Sequence, residues 1–440
     1  MTPLIELFVM VEVRNISIKN YRGIKDIHFP PKAVNIFVGP NNCGKSSILE
    51  AIALNLTSSR NFKDSVDKNI WDELIKQRQY NRQFLINENE RQAEIICDDL
   101  KLTIEFFKIG LPDDDRGKKI IEYFLKRINN FLNSKNVFGE LFDEYRMRSR
   151  ITDEVGKSQK TLFDIEEDLN VSNYFKESFS IYLENVKNSI MYQIMNCEKI
   201  IITGMNNKNN YDFVLFDINI QQISQMRYNP IFRRFLFEIS REGIISIYGS
   251  PQDRNIGVIV NLELTSFPKN ISHFYDLAVK KNKIKETVEG LKNRLEYLQD
   301  IRKIDEGILV LMDGYDIPLP LSSMGDGFIS LLKLTFISSL IEKGVVILEE
   351  PEISLHPGFI SFLSEGILNN STNTQFFIST HSKDFLQSIL DAADWNHKSN
   401  DVLIVRMHKR LDLINPEIEL MSGIEAKDAI DDIGLDLRGV

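Results

Sequence analysis

Residues Gly39-Pro40-Asn41-Asn42-Cys43-Gly44-Lys45-Ser46-Ser47 read as a G-x-x-x-x-G-K-[ST] loop. An apolar run from Ala33 to Val38 precedes it, and a helical pattern opening at Ser46 follows. That order describes a phosphate cradle and implies a bound nucleoside triphosphate. Glycines let the chain turn so that successive backbone N–H groups point at phosphate oxygens, and the next helix N-terminus adds partial positive charge. Lys45 would reach the β and γ phosphates, and the Ser46 hydroxyl would ligate Mg²⁺.

Val345-Val346-Ile347-Leu348 is a buried-strand run ending in Glu349-Glu350-Pro351-Glu352. Two adjacent carboxylates at the end of an apolar strand are costly unless a cation or a proton-transfer role accompanies them. A phosphate loop supplies both. Glu349 is expected in the Mg²⁺ shell, directly or through water, and Glu350 is expected to polarise the water that attacks the γ-phosphate. Gln375-Phe376-Phe377-Ile378-Ser379-Thr380-His381-Ser382 is another apolar strand, ending in a histidine. In the same sheet it would bring His381 to the γ-phosphate as a sensing, hydrogen-bonding group; a structural histidine is the plainer alternative. His356-Pro357 reads as a turn, with no metal partner at ligand spacing. Leu321-Ser322-Ser323-Met324-Gly325-Asp326-Gly327 precedes a helical run through Ile329, Leu331, Leu332 and Leu334. It reads as a further anion-binding helix terminus or as a glycine turn before a core helix.

The elements that must position these groups are partly visible. Val11 to Phe29 alternates apolar and polar residues around Asn20-Tyr21-Arg22-Gly23, a hairpin feeding the phosphate loop. After the loop, Ile48, Leu49, Ile52, Ala53 and Leu56 recur at helical spacing and would pack one face on a sheet. Ala93 to Phe107 is strand-like. From about Leu111 the chain turns Lys-, Asn-, Glu- and Phe-rich and mostly helical, with strand-like pieces at 199–203, 213–216, 244–248 and 256–264. Leu277, Ile284, Val288, Leu291, Leu295 and Leu298 then step by alternating intervals. They read as a short heptad seam or as an amphipathic helix packed on its own domain.

The 440 residues, 43% hydrophobic, suffice for one large core and for two or more structural units. No apolar run is long enough to span a bilayer, and Met1 to Val13 carries Glu6 and Glu12 without a basic front end or cleavage site. The reading is a cytoplasmic chain with no membrane partner. Cys43, Cys97 and Cys197 are scattered and read as reduced thiols. A net charge of −10 argues against broad attraction to nucleic acid and leaves a local basic patch as the route to DNA. The acidic stretch from Pro416 onward reads as a solvated helix face or as a docking surface for a basic partner.

Taken in order, these motifs resemble the AAA/OLD-like branch of the ATP-binding cassette ATPases. That branch holds the overcoming-lysogenisation-defect nucleases, with RecF and the SMC-like repair ATPases as relatives. The wording matches at Ile18-Lys19-Asn20-Tyr21-Arg22-Gly23-Ile24, at Gly39 to Ser46, at Met324-Gly325-Asp326-Gly327, and at Glu349-Glu350-Pro351-Glu352 with Leu355-His356-Pro357. The resemblance covers roughly 10–108 and 305–440. It implies an α/β P-loop head of ABC-ATPase type, a mixed sheet flanked by helices. A mostly helical insertion over 109–304, with a heptad helix near 277–301, would interrupt that head. It implies ATP hydrolysis with ATP and Mg²⁺ as cofactors. It also implies a signature turn, Ser323, Gly325 and Gly327, acting in trans on the nucleotide of an opposite subunit, so that ATP joins a homodimer or higher homo-oligomer.

The departures are a Glu at 349 where many relatives have Asp, a signature unlike L-S-G-G-Q, and no placed glutamine loop. About sixty residues follow His381, too few for the Toprim domain of OLD nucleases. The resemblance therefore points to the ATPase subunits of two-gene phage-defence systems, which hold a separate Toprim-type nuclease. The main rival is a RecF-like DNA-repair ATPase that binds DNA in its ATP-closed dimer, against which the acidic balance counts. A nucleotide-gated scaffold with negligible turnover is the third reading. A transporter motor fits least, given the large insertion and the signature.

Overall fold

The structure is a computed structural model. It describes residues 13–58, 60, 62–65, 69–71, 74, 85–87, 90–107, 115–148, 173–196, 199–205, 210–216, 235, 244–248, 257–261, 271–293, 295–305, 307–340, 343–408 and 416–438. They group into two compact units, one within 104–203 and 210–250 and the other within the remainder of the chain.

The first unit opens with the antiparallel hairpin β1 (Ile16–Tyr21) and β2 (Ile24–Phe29), turned by Asn20 and Arg22 at φ 54° and 55°. After it come β3 (Val34–Val38), α1 (Lys45–Ser58), β4 (Gln92–Cys97) and β5 (Leu100–Phe107). The strands β2-β1-β4-β5 lie side by side in that order. Helix α1 packs on β1 and β4 and also on the sheet that holds β3, so it is buried around most of its circumference. This differs from the single apolar face expected from the sequence. It explains why Leu54, Asn55 and Glu50 are fully buried. The Asn55 side-chain nitrogen donates to the Ile95 and Leu100 carbonyls at 2.9 Å each, and Glu50 takes the Arg22 guanidinium.

The second unit comprises α2 (Asp115–Leu132), α3 (Lys135–Arg148), α4 (Asn173–Asn196), β6 (Lys199–Met205), β7 (Asn210–Phe216) and β8 (Ile244–Tyr248). Its core is aromatic: Phe179 meets Phe138 and Phe142 edge-on, with ring centroids 5.5 and 5.4 Å apart.

The chain then supplies β9 (Gly257–Asn261), α5 (Ile271–Lys280), α6 (Ile284–Lys292), β10 (Leu298–Ile304), β11 (Gly307–Met312) and β12 (Leu319–Pro320). It finishes with α7 (Asp326–Leu340), β13 (Gly344–Glu349), α8 (Pro357–Asn370), β14 (Thr374–Ser379), α9 (Lys383–Trp395), β15 (Val402–His408), β16 (Glu417–Ser422) and α10 (Gly423–Ile433). All belong to the first unit. Its central sheet runs β16-β15-β3-β14-β13-β9, parallel except for β16, so the fold is α/β with a mixed sheet flanked by helices.

Two expectations are corrected here. The stretch near 277–301 is not one heptad helix: α5 ends in a Schellman turn, with Asn282 at φ 57°, Lys283 N–H bonded to Ala278 O at 2.7 Å and Asn282 N–H to Val279 O at 3.0 Å. Beyond it α6 is short, Leu298 opens a strand, and Val288, Leu291, Leu295 and Leu298 enter the head core. Likewise the strand piece at 256–264, read as part of the insertion, is β9, which pairs in register with β13. The acidic end of the chain folds onto the head through β16, paired with β15, and through Lys427, which pairs with Asp391 and Asp394, while a Ser422–Glu425 capping box opens α10. Among the described residues no helix is long and apolar enough to cross a membrane.

Candidate nucleotide site

Parallel register brings the carboxyl ends of four strands to one rim. Ser379 lies opposite both Phe37 and Glu349, and Arg406 opposite Val38. The segments that continue from these ends are the phosphate loop after β3, Glu350 after β13, Thr380-His381 after β14 and Met407 on β15. Such a rim is where open parallel sheets bind ligands.

The phosphate loop is shaped by left-handed backbone at Gly39 (φ 146°), Asn42 (φ 61°) and Gly44 (φ 104°). Pro40 is half-buried, Asn41 and Asn42 are exposed, and Cys43 is buried. The Lys45 ammonium donates to the Gly39 carbonyl at 2.8 Å and the Pro40 carbonyl at 2.9 Å, with Cys43 Sγ 3.8 Å away. Burial pushes this ammonium below the usual lysine range, and Cys43, Glu350 and Glu349 oppose the shift. Helix α1 begins at Lys45, with Ser46 and Ser47 in its first turn. Gly39 also faces strand β15: a Cβ there would lie 2.5 Å from the Met407 carbonyl oxygen. Gly39→Ala is therefore expected to destabilise the head by about 3 kcal/mol, from strain plus displacement of a neighbouring backbone. Urea unfolding checks this, and an unchanged midpoint would refute it.

Glu349 is the last residue of an entirely buried strand and accepts the Ser46 hydroxyl. Glu350 follows at φ 43°, a left-handed conformation in a residue that is neither Gly nor Asn, fixed by its N–H bonded to the Ser379 carbonyl at 2.9 Å. Burial first, then repulsion from Glu349, pushes the Glu350 carboxyl above its ordinary range, with Lys45 pulling it back. His381 Nε2 lies 3.4 Å from Glu350 Oε1. Burial, followed by the charges of Lys45 and Arg438, lowers its pKa and keeps the ring neutral near neutral pH.

The structure thus gathers Lys45, Ser46, Glu349, Glu350 and His381. The signature turn is different. Ser323 and Gly325 are exposed, and among the described residues none of Ser323, Gly325 and Gly327 hydrogen-bonds to the phosphate loop. Gly327 instead backs onto the loop after β13, where a Cβ would meet the Ser354 carbonyl oxygen at 2.8 Å. His356 caps α8, its Nδ1 accepting the Gly358 N–H at 3.3 Å.

Three groups at this rim carried no role in the sequence. Glu352 and Thr380 are buried and joined by a hydrogen bond. Arg438, clamped by Asp436 at 2.8 and 2.6 Å, adds its charge to the surroundings of His381. Glu352 was visible as the last letter of Glu-Glu-Pro-Glu, whereas nothing in the local sequence marks Arg438.

Several known proteins are similar to this chain. Endonuclease GajA of Bacillus cereus is 22% identical over 92% of the chain and 60% of GajA, so the chain spans about three-fifths of that relative's length. An uncharacterised protein of Methanocaldococcus jannaschii is 26% identical over 26% of the chain and its own full length. Among solved structures, an SMC head bound to the C-winged helix domain of ScpA aligns over 94% of the chain and 99% of its own at 13% identity and a TM-score of 0.39. The SMC head domain from Thermotoga maritima aligns over 93% and 98%, at 13% identity and a TM-score of 0.36. The AAA ATPase domain family matches residues 12–386, a span that takes in the phosphate loop, both carboxylates and His381, so the chain belongs to that family.

Proposed function

We propose that this chain binds and hydrolyses ATP, assembles through the bound nucleotide, and controls a separate effector, a Toprim-type nuclease in antiphage defence. The observation that carries the hydrolytic reading is the convergence at one strand-end rim of the Ser46–Glu349 contact and the Glu350–His381 pair. A hydroxyl and a carboxylate already in contact are a hard-oxygen donor pair that suits Mg²⁺, and Ser46 and Glu349 are its ligands in this reading. When bound, the ion neutralises charge on the β- and γ-phosphate oxygens.

The chain's own residues do the rest. The backbone N–H groups of the Gly39–Ser47 loop, in which Pro40 supplies shape but no donor, and the Lys45 ammonium hold the phosphates. Glu350 takes the proton of the attacking water, and the neutral His381 hydrogen-bonds the γ-phosphate. Ser323, Gly325 and Gly327 act on the nucleotide of a second copy, consistent with the exposure of Ser323 and Gly325. Support for the effector comes from GajA, an endonuclease similar to 92% of this chain.

Two measurements test the proposal. Phosphate release should exceed that of Lys45→Ala, and native mass of the protein purified from its own cells should rise with ATP. A co-purifying Toprim-type protein supports the effector; bound DNA in its place supports the repair reading.

A further inference from the structure

The loop after β13 carries a third carboxylate, Glu352, which neither binds phosphate nor moves a proton in the hydrolysis just described. It is only 9% exposed. One of its oxygens accepts the Thr380 hydroxyl; the other is buried and has no hydrogen-bond partner among the described residues at contact distance, while the backbone N–H groups of Glu352 and His381 ease the carboxyl's charge. An acidic group held this way is a burden on the fold, because a buried acceptor left unmet keeps the cost of its lost hydration. An apolar residue of similar size would avoid it.

The link it makes is specific. Thr380 Oγ1 also accepts the Ser382 N–H at 2.9 Å, and the Thr380 N–H reaches the Phe37 carbonyl at 3.1 Å. His381 sits between these two anchored residues, and its ring touches Glu350, which lies two residues before Glu352. Glu352 therefore ties the chain that carries the histidine to the chain that carries the catalytic carboxylate.

We propose that Glu352 is a positioning residue for hydrolysis, holding His381 against Glu350 through Thr380 so that both face one phosphate. The inference rests on the ATPase reading. Glu352→Ala and Thr380→Val are each expected to lower kcat about tenfold while KM for ATP stays within about twofold. Glu352→Gln and Thr380→Ser keep an acceptor and a hydroxyl and should stay within about threefold of the parent. The double variant Glu352→Ala/Thr380→Val should be no slower than the slower single, because both changes break one link.

A rise in KM with kcat kept, failure of the conservative variants to rescue, or multiplied losses in the double variant overturns the proposal. If the parent turns over ATP no faster than Lys45→Ala, the ATPase reading fails by itself. Positioning is then read from the His381 ring signal of histidine-labelled protein, assigned with His381→Ala. Movement of that signal in Glu352→Ala but not in Glu352→Gln supports the link; an unmoved signal in both overturns it.

Discussion

Glu350→Gln is expected to bind ATP as the parent does and to release phosphate at least about 100-fold more slowly. The substitution keeps size, polarity and one carbonyl oxygen, so the left-handed turn at φ 43° and its N–H bond to Ser379 have no reason to change. What it removes is the ability to take a proton. The surroundings favour proton uptake at this position. Burial and the adjacent Glu349 raise the carboxyl's proton affinity, making it a stronger base than a free glutamate, while Lys45 keeps the anion accessible. Burial and the charges of Lys45 and Arg438 lower the proton affinity of His381, which makes it a weaker base than a free imidazole. Because binding survives and turnover does not, the variant should accumulate in the ATP-bound assembly, seen as a persistent higher native mass. Phosphate release equal to the parent's would remove Glu350 as the base.

The parts of this site that were legible in the sequence are those whose chemistry is local. A phosphate loop needs its glycines, lysine and serine within one turn, and carboxylates at the end of an apolar strand announce themselves by their cost. Their convergence could be read as well, because parallel strands of similar length end together, as Ser379 opposite Glu349 illustrates. Long-range dependencies were not legible. The Glu352–Thr380 bond spans 28 positions, and the Met407 carbonyl that confines Gly39 belongs to a strand whose place beside β3 no local pattern encodes. The heptad-like spacing after Leu277 misled for a different reason: periodicity does not register a left-handed residue, and Asn282 ends the helix without interrupting the apolar steps. Helix α1 shows a further limit, since an apolar stripe identifies one packing surface and not the second sheet that covers its back.

Lys45→Ala is expected to weaken ATP binding by at least about 100-fold, roughly 3 kcal/mol, the scale of a charged hydrogen-bonding group lost from a buried site. The loss has two sources. The ammonium is 5% exposed and held between the Gly39 and Pro40 carbonyls, and in the proposed function it is the cation that meets the triphosphate. It also offsets Glu349 and Glu350; without it their charge opposes an incoming polyanion more strongly. Lys45→Arg should not restore affinity, because a planar guanidinium fork does not fit a pocket built for a compact ammonium donating to two adjacent carbonyls. Calorimetric titration with ATP separates this outcome from that of Glu350→Gln: one variant loses binding, the other only turnover. A Lys45→Ala protein that binds ATP within about threefold of the parent would detach the lysine from phosphate recognition, and with it the assignment of this strand-end rim as the nucleotide site.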